Sequence, residues 1–353
     1  MTDHSILRIS ICNIVHDFKS FINDQLLNLS IMSNFYNLLY IRLLLIFSIV
    51  SVSSVSAQIF KQELSFSTEN DIYFYQDRYY TSGTIVNYRY ATDASKRTNN
   101  PNLIKTTTEF EFGHEIYTPY SAKAPDPALH DRPFTGYLYG AAALNRFYKN
   151  ESMLRFKAEA GIIGPLALGK EVQMGYHNLL NIYEPKGWEY QLKSEPGLNL
   201  SLDYQNLLLR SANKMADITM VSSASLGNTF SGANLGMLIR LGKMNHLFES
   251  ISNNSLISLN PPEKKSWELF LYTIPRINYV AYNATIMGGL FIKDKGPITF
   301  DAKKLVYSQQ IGISLSAKRY SANYNIVLKS REVKSEAKAH AYGSISLAYR
   351  FNY

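Results

Sequence analysis

The segment GSISLAYRFNY at Gly343–Tyr353 constrains the fold more than any other. It puts Ile345, Leu347, Tyr349, Phe351 and Tyr353 on one side of an extended chain and Ser344, Ser346, Ala348, Arg350 and Asn352 on the other. One face is apolar and ends in aromatics, while the opposite face is small or polar. A strand with hydrocarbon outside and a wet lumen inside needs this arrangement. A soluble β-sandwich gives the same alternation but no reason for aromatic residues to gather at the strand end.

The segment resembles the C-terminal insertion signal of bacterial outer-membrane barrels, and the rest of the chain follows the same rule. In Lys105–Ile116, Phe110 and Phe112 face one way while Glu109, Glu111 and Glu115 face the other. Carboxylates repeated along one face of a strand want a wet interior. Strand-like segments fall near 61–68, 83–91, 105–117, 134–147, 153–163, 191–206, 215–224, 233–242, 266–283, 305–316, 320–331 and 340–353. Twelve is an even number, as a single-chain barrel requires. The 26 Tyr and 18 Phe, against only 2 Trp, suit strands with aromatic girdles better than a helical core. The fold class expected is therefore all-β: a closed antiparallel transmembrane barrel of about 12 strands with a short helix on its extracellular side.

The leader is read separately. Arg42, the apolar run LLLIFSIVSVSSV and Val55-Ser56-Ala57 have the order of a secretory signal. Residues 1–57 are expected to be a signal peptide with an extended or mis-started N-terminus, and 58–353 the barrel. The apolar run is too short and Ser-rich for a comfortable spanning helix. Cys12, the sole cysteine, lies in this leader, so residues 58–353 hold no disulfide, thiolate nucleophile or Cys-bound metal. Net charge is +8, and in the leader Arg8, Lys19 and Arg42 cancel Asp3, Asp17 and Asp24. The barrel keeps the whole excess, which points to an anionic partner such as a phosphorylated lipid surface. With no basic cluster or nucleic-acid motif beside that charge, nucleic acid is not expected as a partner.

One stretch breaks the period of two. From Ala167 to Tyr183 the apolar residues Val172, Tyr176, Leu179, Leu180 and Tyr183 recur at three and four, so the chain is expected to form an amphipathic helix there. Gln173 and His177 lie four apart and share one face of it. In an even-stranded barrel the connections after odd strands share one rim. That rim receives Asn70-Asp71 and Thr81, the loop Tyr117–Arg132, and the helix with His177. Met244–Lys265 is polar and is expected to be a long connection at the other rim. There is no HExxH, since His114-Glu115 lacks the second histidine, and no G-x-S-x-G. Zinc and serine hydrolases of the common soluble kinds are unsupported. A porin needs no catalytic set, and a barrel phospholipase needs a serine beside its histidine; neither is singled out by these residues.

Asn70-Asp71, DRYYTSG at Asp77–Gly83, IYTP at Ile116–Pro119, DRPFTGYLY at Asp131–Tyr139, GPLALGKEVQ followed by His177, and GWEYQLKSEPG at Gly187–Gly197 together resemble the outer-membrane lipid A 3′-O-deacylases of the LpxR type. Six blocks agree in order, from about Glu63 to Tyr353. The resemblance implies a twelve-stranded, calcium-dependent barrel esterase in the outer membrane of a Gram-negative bacterium, acting as a monomer on lipid A or lipopolysaccharide, with its site at the outer rim between wall and helix. It implies His177 as the general base that activates water, with Asn70, Asp71 and Thr81 lining the calcium and carbonyl side. Imidazole titrates near neutral pH, and a hard cation held by oxygens can stabilise an ester oxyanion. The family pattern places a functional glutamate six residues after the histidine, where this chain has Tyr183, with Glu184 next. Its basic pair in the loop after the third strand is reduced to Lys123. Glu184 is carried as a third calcium ligand and Lys123 as a phosphate contact, and Gln173 is expected to orient a water. Asp131-Arg132 is expected to be an ion pair shaping its loop, and Trp188 to stand at the membrane interface.

Overall fold

The computed structural model describes residues 59–352 apart from 75–76, 94–99, 124 and 261–266. The proposed leader lies outside the described residues. Twelve strands form one closed antiparallel barrel: β1 (Gln62–Asn70), β2 (Tyr79–Thr92), β3 (Leu103–Thr118), β4 (Thr135–Tyr148), β5 (Ser152–Ile163), β6 (Glu195–Arg210), β7 (Ala216–Gly227), β8 (Phe230–Lys243), β9 (Glu268–Asn283), β10 (Leu305–Ala317), β11 (Tyr320–Lys329) and β12 (His340–Phe351). β1 closes on β12 from Gln62 opposite Phe351 to Asn70 opposite Gly343. Closure leaves no edge, so every strand has two hydrogen-bonded neighbours. All twelve expected segments are present.

Alternation sorts the side chains as expected. Leu64, Phe66, Phe110, Phe112, Leu200 and Leu347 stand exposed on the outside. Inside, Arg89 bridges Glu63 (3.0 Å) and Glu109 (2.6 Å), Arg155 reaches Glu109 (2.7 Å), and Lys157 reaches Glu159 (2.8 Å). Arg350 of the last strand pairs with Glu63 at 3.2 Å. Removing one partner from such a network strands a buried charge, at a cost of about 3–5 kcal/mol.

Met244–Lys265 is the long connection expected, joining β8 to β9. Its described part also turns back into the barrel, where Ile251–Asn254 and Leu256 line a polar lumen cavity of about 550 Å³ together with Arg89, Glu109 and Arg276. Inward-facing groups satisfy its backbone. The Lys105 ammonium donates to the carbonyls of Phe248 and Ser255. Glu268 accepts from the amides of Asn245 and Ile251 (both 2.9 Å), and Glu151 from that of Leu247 (2.8 Å). A polar segment with no periodicity gave no sign of this, because its partners are far away in sequence. The barrel is expected to show no steady ion conductance in planar bilayers, and Lys105→Ala, which frees two plug carbonyls, to produce intermittent openings. Steady wild-type current of porin size would show that the segment does not close the lumen.

Two helices sit at the rim reached by the odd-strand connections. α1 (Gly169–Leu179) is shorter than the expected Ala167–Tyr183, and the one-turn α2 (Ala284–Met287), capped by Asn283, was not anticipated.

Candidate active site

Register places α1 on the outside of the barrel wall. On β3 the glutamates 109, 111 and 115 point inward, so His114 between them points out, and its Nε2 meets the carbonyl oxygen of Ala167 at 2.8 Å. On β4, outward Gly136 lies against Gly169 so closely that a Cβ at residue 136 would stand 2.9 Å from the Gly169 nitrogen. Glycine at both positions lets the helix backbone rest on the strand backbone. Gly169, Gln173 and His177 are the buried residues of α1.

The facing wall is irregular at one place. The β2–β3 register shifts between Tyr80 and Ser82, leaving Thr81 unpaired. Such bulges re-aim a side chain, often beside an active site. The Thr81 hydroxyl lies 3.0 Å from Asp71 Oδ1 and 2.6 Å from Asp77 Oδ1. Asp71 Oδ2 accepts from the Arg78 amide at 2.7 Å. Burial pushes the Asp71 carboxyl well above the usual carboxylate range, and the charge of Asp77 adds to this, against hydrogen bonds from Arg78 and Thr81.

Asp77 is the meeting point. It accepts from Thr81, from Gln173 Nε2 at 3.0 Å and from the Tyr183 hydroxyl, and its Oδ2 lies 3.4 Å from His177 Nε2. Nδ1 of His177 lies 2.7 Å from the Tyr183 carbonyl oxygen. That oxygen can only accept, so Nδ1 carries the proton and Nε2 is the nitrogen turned to the cluster. Gln173 is held in turn by Trp188, whose Nε1 donates to its Oε1 at 2.7 Å.

The structure thus brings His177, Gln173, Thr81 and Asp71 together. Asn70 adjoins them, but its Oδ1 accepts from the Ile72 amide at 2.7 Å and closes an Asx turn. Glu184 is exposed, and no hydrogen bond joins it to the cluster among the described residues. Exposed Lys123 holds its ammonium 4.3 Å above the Tyr183 ring, at the mouth. Asp77 was not singled out from the sequence, although it lies in the DRYYTSG block four residues before Thr81. Trp188 is buried against Phe134 and Ile116 rather than standing at the membrane interface, because its N–H is used on Gln173. Asp131 and Arg132 do not pair with each other. Asp131 accepts from Tyr79 and the Tyr120 amide (both 2.8 Å), while Arg132 donates to Thr285 at 2.8 Å and faces Glu332 at 3.6 Å.

Among the described residues no three His, Cys, Asp or Glu side chains converge as a metal cluster. A hard cation needs fewer acidic ligands, because hydroxyl and carbonyl oxygens serve as well. One observation leaves room for such a cation. The single proton of Thr81 cannot serve both carboxylates, so the second contact needs either a proton on Asp71, whose ionisation burial opposes, or a cation. Positive charge between Asp71 and Asp77 would meet that need, and Asp71, Asp77 and Thr81 offer oxygen ligands for it.

A family model described as "Outer membrane protein LpxR" matches residues 40–351. Among solved structures, LpxR from Salmonella typhimurium superposes with a TM-score of 0.66 at 18% identity, covering 82% of this chain and 100% of that one. The translocator domain of autotransporter NalP from Neisseria meningitidis reaches a TM-score of 0.40 at 7% identity, covering 90% and 96%, too low to bear on the site. No curated protein matches in sequence.

Proposed function

From the premise that this chain belongs to the LpxR family of outer membrane proteins, we propose that it is an esterase that removes the 3′-linked acyl or acyloxyacyl chain of lipid A, with its site facing the cell exterior. The observation that carries this reading is the convergence of His177, Gln173, Thr81, Asp71 and Asp77, from two distant parts of the chain, between α1 and the wall.

His177 Nε2 takes the proton of the attacking water, and the imidazolium that forms lies 3.4 Å from the Asp77 carboxylate, which stabilises it. The Tyr183 carbonyl fixes the ring through Nδ1–H. Gln173, clamped between Trp188 and Asp77, keeps the helix face in register with the wall. Asp71, Asp77 and Thr81, with Asn70 beside them, would hold calcium. Bound there, calcium supplies positive charge for the oxyanion of the ester carbonyl. Arg78 and Lys338, 4.8 and 5.0 Å from the Tyr120 ring, join Lys123 in a basic mouth suited to the phosphates of lipid A.

Two rivals fit less well. The segment that Lys105 ties inside the lumen does not favour an open porin. A phospholipase of the serine type would need a hydroxyl at Nε2, where this chain puts a carboxylate.

The test is mass spectrometry of lipid A from a host whose lipid A carries a 3′ chain. Cells expressing this protein are expected to lose the mass of that chain, and purified protein to do the same in vitro until a calcium chelator stops it and excess calcium restores it. An unchanged lipid A spectrum with folded protein in the membrane would end the esterase reading. Turnover indifferent to chelator would remove calcium from it.

A further inference from the structure

α1 has three sides, and the cleft uses only one of them. Gly169, Gln173 and His177 face the wall, and Lys170, Glu171 and Asn178 form an exposed polar side. Leu168, Val172, Tyr176 and Leu179 are exposed as well, Leu179 to 81% and Val172 to 46%. At 100° per residue these four fall within roughly 80° of arc, centred about 140° from the centre of the polar side. A helix on a water-soluble protein buries such a stripe, whereas here the polar Gln173 and His177 are buried instead.

What covers the stripe follows from where the helix lies. Leu166, just before α1, is exposed on the same outer surface. Burial raises the Tyr73 phenol above its ordinary value, and Tyr176 is near enough to add to that. Tyr73 rests on outward-facing Gly343 of β12 and packs edge-on against Tyr324 of β11, with ring centres 6.4 Å apart. Below His114, which holds Ala167, β3 shows Phe112 and Phe110 to the outside. The stripe therefore continues the apolar belt of the barrel wall, and that belt faces hydrocarbon in an outer-membrane barrel.

We propose that α1 is an interfacial helix whose Leu168–Val172–Tyr176–Leu179 stripe is immersed in the acyl chains of the outer leaflet, while Lys170, Glu171 and Asn178 stay in the headgroup layer. An amphipathic helix of this kind sinks its apolar side about 5–10 Å into the boundary. The lipid contact rests on the barrel and its belt. Its consequence for substrate rests on the esterase reading: the cleft opens sideways into the leaflet, so a glycolipid ester reaches His177 without leaving the bilayer.

The test uses the lack of cysteine after Cys12. Single substitutions Val172→Cys, Leu179→Cys, Glu171→Cys and Phe112→Cys are spin-labelled in full-length processed protein, in vesicles of phosphatidylethanolamine and phosphatidylglycerol. Collision with oxygen, which concentrates in hydrocarbon, is compared with collision with a water-soluble nickel chelate. Labels at residues 172 and 179 are expected to match the wall label at 112, with an oxygen-to-nickel ratio about threefold or more above that at residue 171. If both stripe labels meet nickel as freely as residue 171 does, the proposal is overturned. Two stripe positions guard against one variant failing to fold. Wild-type deacylation in the same vesicles is read separately, so a failed esterase reading leaves the depth result standing and a failed depth result leaves the esterase reading standing.

Discussion

Replacing His177 with alanine is expected to lower hydrolysis of the lipid A ester by about 10²–10⁴-fold, the range for losing a positioned general base. The loss should fall on turnover and leave the barrel intact. His177 makes one hydrogen bond, to the Tyr183 carbonyl, and one approach of 3.4 Å to Asp77. The contacts of Asp77 with Thr81 and Gln173, and of Gln173 with Trp188, do not pass through the imidazole. Protection by calcium against thermal unfolding should therefore survive in His177→Ala. Mass spectrometry of lipid A, at matched amounts of protein in the membrane, checks the first part, and a melting curve with and without calcium the second. Wild-type release of the 3′ chain by the alanine variant would mean that another group takes the proton.

The strands were legible because a barrel wall separates lipid from water residue by residue. Phe110 and Phe112 against Glu109 and Glu111 is that separation written into the chain, and no tertiary partner has to be known to read it. Strand parity carried the reading one step further, to the rim shared by Asp71, Thr81 and His177. Legibility stopped where contacts rather than periodicity decide. The extent of α1 was overestimated because Tyr183 keeps the helical spacing, yet Asn181 adopts a left-handed conformation (φ 53°) and the chain turns, bringing the Tyr183 carbonyl back to His177. The stripe that marked the helix is its outer side, so the pattern located the element without saying what it buries. Asp77 went unnoticed because a loop aspartate beside an arginine looks like a solvated turn, and its importance comes only from four groups converging on it.

That convergence makes Asp77→Asn the more diagnostic substitution. The amide has nearly the size of the carboxylate but carries no charge and one acceptor fewer, and its NH₂ cannot accept the protons that Tyr183, Thr81 and Gln173 now direct at the two oxygens. One stranded buried donor costs about 1–3 kcal/mol, which is roughly 5- to 160-fold in a rate, and the charge that stabilises the imidazolium is lost as well. Asp77→Asn is therefore expected to reduce turnover about 10²–10³-fold and, unlike His177→Ala, to weaken protection by calcium. Tyr183→Phe removes one of the converging hydroxyls and leaves the carboxylate, so its effect should stay near tenfold, with calcium protection retained. Activity measured alongside calcium-dependent melting separates the two roles of Asp77. A variant that loses turnover but melts with calcium like the wild type confines Asp77 to orienting and stabilising His177, whereas loss of both makes it a ligand. If Asp77→Asn turns over like the wild type, neither role stands, and the short contacts around this carboxylate serve only to hold Asp77 against α1 and the wall.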